Sequence, residues 1–164
     1  MEAALIIATT LDRREREIES AAEKNRKFYA RHISDDEIAN IIFNETRSLS
    51  GAGIDDARVK IAHAIINAIA SPHKFPKMAP TKANPPPVEK GVHAACIAAV
   101  QSARANVRAG NDLTSGATHF NFRRNNTDKT PFQGHALKTT VGPFANSHPT
   151  DELPASGIYS NTYE

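Results

Sequence analysis

The clearest pattern of polar and apolar positions along this chain lies in residues 34–47. Ser34 is followed three positions later by Glu37, and this pairing is the capping box that marks the start of a helix. Isoleucines then recur at the spacing of one helical face: Ile38, Ile41 and Ile42. The pattern therefore predicts a helix with an apolar stripe, and the next position on that stripe is Glu45.

A carboxyl group at position 45 interrupts the apolar stripe, and two interpretations follow. A carboxyl held against apolar surroundings is either paired or protonated through a raised pKa. A raised pKa suits a general acid that works near neutral pH. In the alternative interpretation the stripe ends at Ile42, and Glu45 points into water and pairs with a nearby arginine. The helix pattern alone leaves both interpretations open.

Three further segments have helical periodicity. Residues 11–32 predict a charged N-terminal helix with a thin apolar stripe and a packing role. Residues 55–70 predict a helix that begins with two aspartates, and residues 89–109 predict one whose small apolar residues permit close packing. Asn67 lies beside the apolar face of the 55–70 helix, where it could bond a second helix or contact a substrate. Six prolines in residues 71–88 exclude a helix there and indicate a long loop.

The last third of the chain loses the helical period. Residues 118–122 alternate between polar and apolar side chains, which is typical of a strand. Phe120 and Phe122 would anchor one face of this strand. His119 and Asn121 would point to the other side, either into a cleft or into solvent. Further short strands or turns are indicated near two later glycines, at residues 142–144 and 157–159.

Composition adds limits to this picture. A chain of 164 residues, 40% hydrophobic and 23% charged, suits one soluble domain over residues 1–164, and the expected fold class is α+β, mainly α. A net charge of +2 is too weak to indicate nucleic-acid binding. Cys96 is the only cysteine, so an intramolecular disulfide is excluded, and its Ala-rich surroundings favour a small core residue over a nucleophile.

Among catalytic chemistries, a glycosidase fits the sequence best. Seven histidines invite a metal site, but none has the HExxH spacing, so a zinc hydrolase is the weaker hypothesis. Glycosidic cleavage needs an acid to protonate the leaving oxygen, and Glu45 would supply it. A second carboxylate would come from Asp55, Asp56 or Asp112, although the first two are better explained as helix starters.

Four segments carry a resemblance to a known family: Phe43-Asn44-Glu45-Thr46-Arg47, Ala64-Ile65-Ile66-Asn67, Ser71-Pro72 with Phe75-Pro76, and Gly116-Ala117-Thr118-His119-Phe120. In this order they resemble the cell-wall hydrolases typified by spore-cortex-lytic enzymes, which are related to lytic transglycosylases. The resemblance spans residues 36–122. The chain departs from the family after the catalytic Glu, where Ser48-Leu49-Ser50-Gly51 replaces an acidic-Gly pattern.

This resemblance implies a lysozyme-like helical core with a small β region in the C-terminal third. It also implies cleavage of peptidoglycan between N-acetylmuramic acid and N-acetylglucosamine, with Glu45 as the proton donor. Because no second carboxylate is convincing, the same Glu could act as base on the muramic 6-hydroxyl, as in a lytic transglycosylase, without metal or cofactor. The residues predicted to bind substrate are Arg47, Asn67, Thr118, His119 and Asn121, of which Arg47 would hold Glu45 or a peptide carboxylate.

Two other functions stay open at this point: a hydrolytic muramidase that uses the same groove, and a non-catalytic module that binds cell wall or a partner protein. Peptidoglycan is the expected partner, and an injected effector would also have an immunity or inhibitor protein. Neither nucleic-acid binding nor membrane insertion is expected. The apolar residues 3–8 are too short for a membrane span and lack the basic start of a signal peptide. We therefore expect synthesis in a bacterial or phage-infected cytoplasm, and action in the periplasm or cell wall after export or injection.

Overall fold

The computed structural model describes residues 13, 33–71, 89–125 and 130–164. The predicted N-terminal helix over residues 11–32 lies outside the described residues except for Arg13, which is helical. Of the proline-rich segment, residues 71–88, only Ser71 is described. The two remaining predicted helices, the capped helix and the predicted strand all fall within the described ranges.

The helices lie close to where the periodicity predicted them. Apart from Arg13, the described residues form three: α1 (Asp35–Thr46), α2 (Ile54–Ala70) and α3 (Lys90–Arg108). The capping box of α1 is present, because Ser34 Oγ accepts a hydrogen bond from Glu37 N at 3.2 Å, while Ser34 N donates to Glu37 Oε2 at 2.6 Å. Acidic side chains also fill the first turn of α1, where they offset the helix dipole.

The strands form one antiparallel sheet. They are β1 (Leu49–Ser50), β2 (His119–Arg123), β3 (Leu137–Asn146) and β4 (Ile158–Tyr163), in the spatial order β1-β3-β4-β2. The predicted strand is present as β2, shifted by one residue. Gly142 lies at an irregular point of β3, where a Cβ atom would come within 2.7 Å of the Ile158 carbonyl oxygen, so only glycine fits there.

Helix α2 lies at the centre of the described structure, because it contacts both other helices and the three longer strands. The main core cluster fills the space between the helices. Phe120 and Phe122 of β2 pack against this cluster, as the strand pattern predicted. A second cluster joins α2 to the sheet through Ala57, Phe144 and Ile158. The largest fully buried apolar members of the main cluster are Ile38, Ile42, Phe43, Ile61, Ile65 and Val100.

The expectation of a mainly α fold with a lysozyme-like helical core is wrong. The described residues combine the three helices with a curled four-stranded antiparallel sheet, and about 22% of them are strand, which makes a mixed α+β fold. The short strands or turns indicated at residues 142–144 and 157–159 fall in β3 and at the start of β4, but the extent of the sheet escaped prediction because the strands other than β2 lack regular alternation. In β4, Ser160, Asn161 and Thr162 are all buried although all are polar. In β3, Gly142-Pro143 interrupts the pattern, and β1 has only two residues.

Candidate functional site

Glu45 is the last residue but one of α1, and its side chain is exposed. Among the described residues its carboxyl group has no hydrogen-bond or ion-pair partner. Desolvation by the surrounding protein nevertheless raises its pKa. The C-terminal end of a helix also disfavours negative charge, and the last turn of α1 carries no basic residue. Glu45 therefore combines access to solvent with a carboxyl that retains its proton to higher pH than an ordinary Glu.

Both sequence-based interpretations of Glu45 capture part of this geometry. The apolar stripe does end at Ile42, which is fully buried, and the glutamate emerges from it. The arginine expected to pair with an emerging glutamate is engaged elsewhere. The environment still disfavours the charged form, as the general-acid interpretation requires.

Thr46 and Arg58, which the sequence analysis missed, hold the last turn of α1. Thr46 is fully buried, and its Oγ1 donates to the carbonyl oxygen of Ile42 at 2.8 Å. Arg58 of α2 is 5% exposed; its Nε donates to Thr46 Oγ1 at 3.1 Å and its Nη1 to Asp55 Oδ1 at 3.0 Å. Arg58 lies three positions before Ile61 on the core stripe of α2, and this placement was the available signal.

The structure places Arg47 away from its predicted role with Glu45. Its guanidinium forms two hydrogen bonds with the carboxylate of Glu89, at 2.5 and 3.3 Å, and lies 5.1 Å from the centre of the Phe43 ring. The pair joins the end of α1 to the residue that precedes α3. Glu89 binds Nε and Nη2 and leaves the N–H donors of Nη1 for a peptide carboxylate, so that second predicted role of Arg47 stays a prediction.

Asn67 anchors a loop of the protein itself. Its Nδ2 donates to Asp112 Oδ2 at 2.8 Å and to the carbonyl oxygen of Ala117 at 2.9 Å. Asp112 also accepts hydrogen bonds from Thr114 N, Thr114 Oγ1 and Gly116 N at 2.7–2.9 Å. These bonds fix residues 112–117, the turn that leads into β2, against α2. This bond to a loop is not the helix-helix bond considered for Asn67, and the predicted substrate contact of Asn67 stays a prediction.

The three candidates for a second catalytic carboxylate all have partners. Burial alone would raise the pKa of Asp112, but the hydrogen bonds from Thr114, Asn67 and Gly116 outweigh it, so that the pKa is lowered. Asp55 pairs with Arg58 at 3.0 Å, and Asp56 pairs with Lys60 at 2.8 Å. Each of these carboxylates is thus committed to a structural bond.

The predicted glycan contacts His119 and Asn121 alternate along β2 with two phenylalanines that pack on the core. Neighbouring side chains of a strand point to opposite faces of the sheet. Because Phe120 and Phe122 pack on the helical core, His119 and Asn121 lie on the face away from it. The His119 ring stacks on His135 with centroids 4.0 Å apart, and Asn121 Oδ1 accepts from the backbone N of Phe122 at 2.9 Å.

Thr118 connects the anchored turn to the sheet. Its backbone N donates to the carbonyl oxygen of Tyr163 at 2.8 Å, and its Oγ1 lies 3.0 Å from His119 Nδ1. The structure therefore joins Thr118 with His119, and Asn67 with the turn before them. It does not join this group to Glu45 by any hydrogen bond within the described residues.

Possible metal ligands and the thiol were considered over all the described residues. No group of three or more His, Cys, Asp or Glu side chains in the described part of the chain is arranged to hold a metal ion. Burial raises the pKa of the Cys96 thiol, although Arg58 and a hydrogen bond with Thr46 oppose that rise, and a buried thiol of this kind is a poor nucleophile.

No described helix is both long and apolar enough to cross a membrane.

Comparison of the chain with protein-family models finds no match, and comparisons with curated proteins and with solved structures find none either. The fold and the site define an α+β protein in whose described residues a solvent-accessible glutamate of raised pKa, without a partner there, lies at the end of a helix.

Proposed function

We propose that this protein cleaves the glycan strand of peptidoglycan between N-acetylmuramic acid and N-acetylglucosamine, with Glu45 as its single catalytic acid. The observation that carries the proposal is the position of Glu45: a carboxyl at a helix C-terminus, beside a buried apolar stripe, open to solvent and without a partner among the described residues. Both the helix dipole and desolvation disfavour the charged form of this carboxyl, so its position lowers stability and a function for it is expected.

The chemistry follows from this one group. Protonated Glu45 donates its proton to the glycosidic oxygen as the bond to muramic C1 breaks. The resulting carboxylate then takes the proton of the muramic 6-hydroxyl as O6 bonds to C1. The products are a 1,6-anhydromuramoyl end and a free N-acetylglucosamine 4-hydroxyl, and Glu45 has recovered its proton. Neither a metal nor an activated water takes part.

The bonds of the three candidate second carboxylates, Asp55, Asp56 and Asp112, favour this transglycosylase route over hydrolysis. An inverting hydrolase needs a second carboxylate that activates water, and a retaining one needs a second carboxylate as nucleophile. The three candidates for that role are bound to Arg58, to Lys60 and to the 112–117 turn. The resemblance of four segments to spore-cortex-lytic enzymes supports the same substrate, while the contacts of the sugar rings stay predictions.

Digestion of purified peptidoglycan, followed by mass spectrometry of the soluble fragments, tests the proposal. Wild type is expected to release fragments that end in anhydromuramic acid. Fragments with reducing muramic ends would replace the transglycosylase route by a muramidase. Binding to the insoluble wall without release of any fragment would contradict cleavage and favour a binding module.

A further inference from the structure

Arg58 is a buried cation that the proposed chemistry does not use. Arginine is almost never so completely buried unless it is paired, because removing a guanidinium from water is costly. Arg58 is 5% exposed, and its partner Thr46 is fully buried. The other partner, Asp55, is largely exposed and reaches it from the first turn of the same helix. The inner bond, from Arg58 Nε to Thr46 Oγ1, is therefore the one that joins two elements of the fold.

This bond ends at the last turn of α1. The carbonyl groups of a last helical turn lack partners within the helix, and the dipole there favours a positive charge. Thr46 Oγ1 donates to the Ile42 carbonyl oxygen while it accepts from Arg58, so one hydroxyl links the guanidinium to the helix end. Helix α1 has no basic residue in its own last turn, and Arg58 supplies that charge from α2.

Glu45 immediately precedes Thr46 and has no partner of its own among the described residues. The backbone of this last turn therefore sets where the Glu45 side chain leaves the helix, and no bond of the carboxyl itself compensates for a shift of that turn. We infer that Arg58, acting through Thr46, is the positioning residue that holds the Glu45 carboxyl in its working orientation. The inference rests on the proposed role of Glu45 as the catalytic acid.

Substitutions at position 46 separate positioning from folding. Thr46→Val keeps the size of the side chain but removes the hydroxyl that Arg58 binds, whereas Thr46→Ser retains that hydroxyl. We expect Thr46→Val to lower kcat for peptidoglycan by roughly tenfold to a hundredfold, with KM within about a factor of two, as a misplaced catalytic group would. Thr46→Ser should restore most of kcat, and Asp55→Asn, which leaves the Arg58–Thr46 bond in place, should lower kcat much less than Thr46→Val does.

A second measurement does not depend on activity. The carboxyl ¹³C signal of Glu45 can be titrated by NMR in the wild type and in each variant. We expect the Glu45 titration midpoint to fall in Thr46→Val and to stay unchanged in Thr46→Ser, because a loosened last turn exposes the carboxyl more fully. If Thr46→Val does not fold, Arg58→Lys serves instead, since lysine keeps the charge but loses the guanidinium geometry.

Equal kcat and equal midpoints in folded Thr46→Val and Thr46→Ser would overturn the inference. Absence of cleavage in wild type would instead overturn the proposed function, and the NMR titration would then still decide whether Thr46 orients Glu45. A kcat loss of the same size in Asp55→Asn and Thr46→Val would also contradict it, because it would assign the effect to the exposed pair rather than to the link with α1.

Discussion

Asp112 offers the sharpest test of the described structure, because one carboxylate accepts four hydrogen bonds, from Asn67, Gly116 and two groups of Thr114. Thr114 is fully buried, so Asp112→Ala would leave its N–H and its hydroxyl without their acceptor. An unsatisfied buried donor costs about 1–3 kcal/mol. Asn67 would keep its bond to Ala117, and Gly116 is exposed and can bond water. We therefore expect Asp112→Ala to lower the free energy of unfolding by about 3 kcal/mol.

Urea unfolding followed by circular dichroism measures this loss. With a denaturant slope of about 1–3 kcal/mol per molar, the midpoint should fall by about 1 M or more. Asp151→Ala is the matched control, because Asp151 is an exposed loop aspartate, and it should stay within about 0.5 kcal/mol of wild type. An Asp112→Ala protein as stable as this control would refute the account of the turn.

The pH dependence of the stability difference between wild type and Asp112→Ala adds a second test. The pKa of Asp112 is lower in the folded protein than its ordinary value of about 3.9, so the folded state favours the charged form. Its contribution to stability is complete above that ordinary value and is lost as the pH falls through the lower pKa of the folded protein. The free energy of unfolding that Asp112→Ala loses relative to wild type should therefore become smaller below about pH 4. A deficit that stays constant through this range would contradict the assignment.

Three further predictions follow from other contacts. Arg47→Ala and Glu89→Ala should each lower the free energy of unfolding by less than about 1 kcal/mol, because the ion pair is partly exposed, and salt should weaken the interaction energy between the two residues. A larger interaction energy that does not change with salt in a double-mutant cycle would contradict this. Desolvation lowers the pKa of His63 in the folded protein, so the wild type should lose stability as the pH falls below about 6.5, whereas His63→Gln should not show this loss. A urea midpoint that falls equally with pH in both proteins would contradict this prediction. Because the pKa of Glu45 is raised, cleavage should decline with rising pH only above the ordinary Glu pKa of about 4.3; a decline centred at or below that value would contradict the role of Glu45 as acid.

The sequence predicted those features that depend on neighbours a few residues apart. The capping box at Ser34, the periodicity of α1, α2 and α3, and the alternation of β2 are all short-range patterns, and the structure contains each of them. The position of Glu45 at the end of an apolar stripe was visible for the same reason.

The contacts that decide what the candidate residues do could not be predicted, because their partners are far apart in the chain. Arg47 meets Glu89, 42 positions away, and Asn67 meets Asp112, 45 positions away. These partners were not predicted, since the pattern of one helix contains no information about a distant loop; the substrate roles of both residues stay predictions. The buried polar side chains of β4 misled the fold prediction in the same way, because burial of polar groups depends on partners that local sequence does not reveal.

The most direct test of Glu45 as the catalyst is the initial rate at which purified peptidoglycan suspensions clear with wild type, Glu45→Gln and Glu152→Gln. Glutamine keeps the shape of the side chain but cannot donate the carboxyl proton, and Glu152 is an exposed loop glutamate that serves as the matched control. We predict clearing by wild type and Glu152→Gln, and a loss of at least about a hundredfold in Glu45→Gln. Clearing by Glu45→Gln at the wild-type rate would contradict the central claim.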